Sequence, residues 1–185
     1  MKQFLVIIFI FLGTILYGQN KYNYVHFNKL IEIEGTEFVI ATIEERGKMY
    51  VTNEQYLLFI NTINGETKQV DFPPKAQIRE IKQIKIDSLG INYIILSAKT
   101  VNLNGKNDID WKDPTQIIVL STDGKEKTQL TEDKFFSRTW VVNKETGKIV
   151  ITGYYDTNNN GKYDKTDKNE ILIYDLKTLK LVAKI

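Results

Sequence analysis

Short apolar runs, each closed by a turn dipeptide, fill this chain from about residue 25 to its end, and that rhythm leaves little room for helices. The runs are Val25 to Ile33, Glu37 to Ile43, Lys48 to Thr52, Gln55 to Ile60, Glu80 to Ile86 and Ile91 to Ser97. They continue as Ile117 to Ser121, Lys127 to Leu130, Arg138 to Val142, Lys148 to Tyr155, Glu170 to Tyr174 and Lys180 to Ile185. All are rich in β-branched and aromatic residues, and Glu34-Gly35, Arg46-Gly47 and Asn64-Gly65 punctuate them. No stretch has helical periodicity long enough to carry a domain. The pattern predicts an all-β chain.

The rhythm also repeats. Thr115-Gln-Ile-Ile-Val-Leu-Ser121 resembles Asn169-Glu-Ile-Leu-Ile-Tyr-Asp175, and Asn102-Leu-Asn104-Gly105 resembles Asn158-Asn-Asn160-Gly161. The two glycines lie 56 residues apart and the strands that follow them 54, so the earlier loop carries two extra residues after its glycine. A weaker copy, Tyr56 to Val70 around Asn64-Gly65, sits one period earlier. Three units, at about 22–73, 76–131 and 134–185, each with about four strands, form a propeller-like array of antiparallel blades. Phe72-Pro73-Pro74 marks the first connection between units.

Asp123-Gly124-Lys125, Gln129-Leu130-Thr131, Trp140 and Gly147-Lys148-Ile149 together resemble the TolB-type, WD40-like propeller repeat. In that family a comparable segment closes one blade, an aromatic residue opens the next, and an acidic loop is often inserted between blade strands. The resemblance covers residues 76–185. It implies a propeller fold, but closed propellers have at least four blades. Three blades imply an open array, an irregular fourth sheet, or closure by another chain.

Asp156-Thr-Asn158-Asn-Asn160-Gly161-Lys162-Tyr-Asp164-Lys-Thr-Asp167 carries the chemistry. A calcium loop places side-chain oxygens at positions 1, 3, 5, 9 and 12, a backbone carbonyl at 7 and glycine at 6. Asp156, Asn158, Asn160, Asp164 and Asp167 fill the side-chain slots, and Lys162 supplies the carbonyl. Asp at the last slot is shorter than the usual bidentate Glu, and strand-like segments flank the loop. A low-affinity Ca2+ clamp on a connection is therefore expected, not a sensor that opens a helix pair. The alternative is an Asn/Gly-rich hairpin with solvated carboxylates. In the earlier copy Thr100 replaces the first Asp, Asn102, Asn104 and Asp108 keep three slots, and Asp113 or Asp110 completes it. There the ordinary-loop reading is preferred.

The N-terminus sets a compartment. Met1-Lys2-Gln3, an apolar run from Phe4 to Leu12, and Gly18 before Gln19 read as a signal peptide over residues 1–18. The run is shorter than the ~20 residues of a membrane span, and an uncleaved anchor is the competing reading. Export to a periplasm or out of the cell follows. The chain of 185 residues has no cysteine, which removes disulfides, thiolate metal sites and thiol nucleophiles. A net charge of +2 without a dense basic run argues against nucleic acid.

Catalytic constellations are sparse. His26 stands alone, and Ser88, Ser97, Ser121 and Ser137 lack a nucleophile elbow. Glu44 and Glu45 are adjacent, so a strand would point them to opposite faces. Trp111, Trp140, Tyr154 and Tyr155 are read as sheet or core packing before a ligand platform. The expected function is non-catalytic: an exported β-repeat module that binds a protein or a glycan, or serves structurally, with self-association at its open ends. The alternative is a carboxylate- or metal-dependent hydrolase acting on carbohydrate, in which Asp108, Asp110 or Asp113 meets a second acid across a cleft.

Overall fold

The computed structural model describes residues 27–43, 55–105, 108–161 and 163–185. The expected signal peptide, His26, Glu44, Glu45, the run from Lys48 to Thr52 and Lys162 lie outside those residues. The described residues form twelve strands in three four-stranded antiparallel sheets, a propeller-like array. The first sheet has β1 (Phe27–Glu32), β2 (Phe38–Ile43), β3 (Gln55–Asn61) and β4 (Thr67–Phe72). The second has β5 (Gln77–Ile86), β6 (Ile91–Lys99), β7 (Gln116–Ser121) and β8 (Lys127–Gln129). The third has β9 (Phe135–Asn143), β10 (Lys148–Tyr155), β11 (Lys168–Asp175) and β12 (Lys180–Lys184). Every sheet is a meander in which sequential strands are neighbours. β4 is absent from the expected strands because Thr-Lys-Gln-Val-Asp-Phe buries only Val70 and Phe72.

Several hairpin turns follow from the polar residue that ends the strand before them. Asp175 accepts hydrogen bonds from the N–H groups of Lys177 and Thr178, and Asn143 does the same for Glu145 and Thr146. Such a side chain imitates the backbone of a turn and so sets where the chain reverses. At Asp123 burial pushes the carboxyl up, but hydrogen bonds from Ser121 and Lys125 outweigh it and hold the group at about 2.

The sheets stack because side-chain direction alternates along a strand. Ile94, Leu96 and Ala98 of β6 and Ile118 and Leu120 of β7 pack with Ile40, Leu57 and Phe59 of the first sheet. The intervening Ile95, Ile117 and Val119 pack with Ile149, Ile151 and Leu172 of the third. The second sheet is therefore buried on both faces, which explains why β6 and β7 read as continuous apolar runs. Each such side chain contributes about 1.5–3 kcal/mol by leaving water. Contact is close enough at Gly153 that an added Cβ would lie 2.5 Å from the Phe135 ring and from the Phe136 carbonyl.

Both ends of the stack show the repeat. Pairing of Ile95 with Val119 in the second sheet matches pairing of Val150 with Ile173 in the third. Ile117 and Val119, buried against the third sheet, thus correspond to Ile171 and Ile173, which lie on its outward face. Val141 shares the row of Val150 there and is 63% exposed.

Candidate functional site

The last turn of β10 delivers Asp156 into the acidic loop, and β11 takes the chain up again at Lys168. Asp156 is buried at 3% exposure, and its two oxygens accept the N–H groups of Asn160 at 3.0 Å and Gly161 at 2.7 Å. That double acceptance wraps the backbone around the carboxylate. Gly161 sits at φ +69°, a left-handed conformation that suits glycine. At the other end Asp167, also buried, accepts Thr157 N–H at 3.1 Å and Asp164 N–H at 2.7 Å. Asn158 accepts from Asn160 N–H, and the amides of Asn158 and Asn160 both donate to Asp164. Hydrogen bonds from Thr166, Asn158 and Asn160 hold the Asp164 carboxyl well below the usual range.

The structure therefore links Asp156, Asn158, Asn160, Asp164 and Asp167 in one hydrogen-bonded loop. Among the described residues, however, no three acidic or histidine side chains converge as a metal-holding group. The donor chemistry fits Ca2+: three carboxylates and two amides, all hard oxygen donors. Rotating the Asn158 and Asn160 amides by 180° would replace their N–H donors with carbonyl oxygens facing Asp164.

The earlier loop, Asn102 to Asp113, is built on the same plan with a different alignment from the one its glycine suggests. Asp113 accepts Leu103 N–H at 3.0 Å and Asp110 N–H at 2.7 Å, as Asp167 does from Thr157 and Asp164. Asp110 in turn accepts Lys112 N–H, as Asp164 does from Thr166. Asp113 thus matches Asp167, Asp110 matches Asp164, and Asn102 falls where Asp156 stands. Thr100 and Asp108 do not hold the positions expected of them. Thr100 instead donates to Gln116, and Asp108 pairs with Lys75. The hydrogen bonds reveal this because the first loop is shorter before its glycine and longer after it.

The two loops touch: a Cβ on Gly161 would lie 3.2 Å from the Asn104 Cβ. Where they meet the sheets a cleft of about 490 Å³ opens, lined by Arg79, Lys99, Trp111, Ser137, Arg138 and Tyr163 among others. Lys112 lines it too, and none of these four cations is a candidate from the sequence. A signal was present in Lys99, which ends a largely apolar strand in the same alternating phase as Ile95. Trp140 packs half-buried against the core with the Lys82 amine 5.5 Å from its ring centre, as expected of a sheet aromatic. Tyr155 lies edge-on to Phe135 and donates to Glu132. Trp111 is different, because it is 74% exposed at the cleft.

No protein-family model matches the sequence, and no curated protein matches it. Among solved structures the chain is similar to an acylaminoacyl peptidase of Pyrococcus horikoshii, with a TM-score of 0.45 and 11% identity over 88% of this chain and 25% of that one. It is also similar to a variant of the Synechocystis apocarotenoid oxygenase, with a TM-score of 0.39 and 17% identity over 88% of this chain and 38% of that one. The chain spans well under half the length of either protein.

Proposed function

We propose that this protein is an exported, non-catalytic β-repeat module of the TolB-type, WD40-like kind, in which Ca2+ clamps the loop from Asp156 to Asp167. Its task is to bind a protein or glycan partner or to serve structurally. The observation that carries the calcium reading is the loop itself: one buried carboxylate at each end, with Asn158, Asn160 and Asp164 hydrogen-bonded between them. An ion bound only by the folded chain adds stability that grows with its concentration. The melting temperature should rise in millimolar calcium and fall in chelator, and Asp156→Ala should abolish the response. A melting curve that ignores both additions would end the calcium reading.

A binding role is favoured over hydrolysis by how the other carboxylates are used. Asp108 is paired with Lys75, Asp110 accepts the Lys112 N–H, and both oxygens of buried Asp113 accept backbone N–H groups. Export is supported by the apolar run from Phe4 to Leu12. Among the described residues no helix is long and apolar enough to cross a membrane.

Self-association belongs to the same reading. Val141, Val150, Ile171 and Ile173 share the outward face of the third sheet, and Ile171 and Ile173 repeat the residues with which the second sheet buries the third. The outward Leu58 and Ile60 of β3 likewise repeat Ile118 and Leu120, which pack on the first sheet. A second copy offers the complementary face, and two copies stacked head to tail could close a ring of six sheets. Sedimentation should detect a dimer that Ile173→Lys dissociates; a monomer at all concentrations would refute it.

A further inference from the structure

Two β-bulges aim arginines at the cleft between the second and third sheets. On β5 the register slips between Ile78 and Glu80, leaving Arg79 as the extra residue. On β9 Ser137 faces Gly153 and Thr139 faces Thr152, leaving Arg138 extra. The two positions correspond within the repeat. A bulged residue is freed from the ladder and its side chain is redirected, a device common beside binding sites.

Lys99 adds a buried cation, and Lys112 lines the cleft as well. It closes β6 at 4% exposure and lines the cleft, yet no hydrogen bond or ion pair joins its amine to another described residue. An unpaired buried charge is costly, so such groups normally find a partner. Burial, followed by the charge of Arg79, lowers its pKa to about 8 against the opposing pull of Asp113 and Asp110. Asp113, the one carboxylate lining the cleft among the described residues, is already occupied by Leu103 N–H, Asn104 N–H, the Asn104 amide and Asp110 N–H. Neither Arg79 nor Arg138 makes an ion pair among the described residues; Arg138 lies 4.9 Å from the Tyr163 ring centre and 5.2 Å from that of Tyr154. Ser137 Oγ, which also lines the cleft, and Gln116 Nε2 are buried donors without an acceptor among the described residues.

Donors and positive charge thus exceed acceptors around a space large enough for a small molecule. Trp111 and Tyr163, both exposed, flank it with aromatic surface. We infer that this cleft binds a small organic anion, with a carboxylate or phosphate head held by Lys99, Arg79 and Arg138 and a ring lying against Trp111 and Tyr163. The inference rests on the binding-module reading and names its ligand class; it does not depend on calcium.

Isothermal titration at pH 7, in chelator, with D-glucuronate, glucose 6-phosphate, glucose and inorganic phosphate tests it. At least one anionic sugar should bind at least tenfold more tightly than inorganic phosphate, and glucose should give no heat. Preference for glucuronate assigns a carboxylate head, and preference for glucose 6-phosphate assigns a phosphate. Lys99→Met should weaken binding at least tenfold without lowering the melting temperature, and Arg79→Gln should weaken it on its own. Affinity should decline as pH rises through about 8, where Lys99 loses its proton. Absence of binding by either anionic sugar at 10 mM ligand (about the weakest affinity worth assigning), or wild-type binding by Lys99→Met, would overturn the proposal. So would inorganic phosphate binding as tightly as the sugars, since the ring contacts would then do nothing. A calcium-dependent melting temperature in a protein that binds no probe would leave the clamp standing and remove only this inference.

Discussion

The loops Asn102 to Asp113 and Asp156 to Asp167 leave equivalent strands, touch one another and end in the same brace, yet they begin with different chemistry. Asp113 and Asp167 each tie the loop's start to its end through the same pair of backbone N–H groups. That brace needs no ion. The first positions differ in charge: Asn102 is a neutral amide that accepts the Gly105 N–H, whereas Asp156 is a carboxylate whose two oxygens accept the N–H groups of Asn160 and Gly161. The brace at the last residue is therefore common to both loops, and under the proposed calcium clamp the charge at the first residue is what sets them apart.

The largest effect should come from breaking the brace. Asp113→Ala strands several part-buried backbone donors at once and should cost about 3 kcal/mol in urea denaturation, since each unsatisfied group costs ~1–3 kcal/mol when buried. Asp167→Ala should cost about 2 kcal/mol, because Asp167 serves two N–H groups and Asp113 also holds Asn104. No loss at either position would break the equivalence of the two braces, and equal losses would show that the Asn104 contacts add nothing.

Next comes the first position. Asp156→Asn turns the second loop into a likeness of the first. For a site with Kd of ~1 mM, 10 mM calcium stabilises the wild type by about 1.4 kcal/mol, and the variant should lose that increment while keeping its fold in chelator. Retention of the calcium shift would show that Asp156 is not what distinguishes the loops.

Lys99, at the foot of the first loop, should matter less and with the opposite sign. Lys99→Met removes a buried charge that has no partner among the described residues and should raise stability by about 1 kcal/mol at pH 7. The pH dependence has a definite direction. With the folded pKa near 8 and the ordinary value at 10.5, the unfolded chain holds the extra proton between them, so the Lys99 contribution to stability rises with pH across that window. Lys99→Met should flatten that rise, which unfolding curves at pH 7 and pH 10 would reveal. Smallest of all is the ion pair that ties Asp108 of the first loop to Lys75. Both residues are substantially exposed, so Lys75→Ala should change stability by no more than about 0.5 kcal/mol.

Much of this architecture was legible in the residues. Lys148 to Tyr155 and Ile117 to Ser121 read as strands and are strands, because β-branched and aromatic residues bounded by turn formers have few other options. β4 is not legible in the sequence because an edge strand needs only Val70 and Phe72 inside, and its polar residues carry no apolar run. The acidic loop was visible as a spacing, but its earlier copy was misaligned. Glycine position was the sequence guide there, while in the fold Asp113 and Leu103 N–H define the correspondence. Trp111 read as packing because composition does not distinguish an aromatic residue in a core from one on a rim.

What the sequence determined by itself is local: strand period, turn positions, the spacing of the oxygen ligands and the 54-residue recurrence of strands, all consequences of side-chain alternation and backbone sterics. Tertiary structure alone decided which face of each sheet is covered, that the second sheet is buried on both, and that Arg79, Lys99 and Arg138 share a cleft. Those residues stand up to 59 positions apart along the chain. Only the stacking of two sheets, driven by burial of faces that must be matched in space, brings their charges to one place.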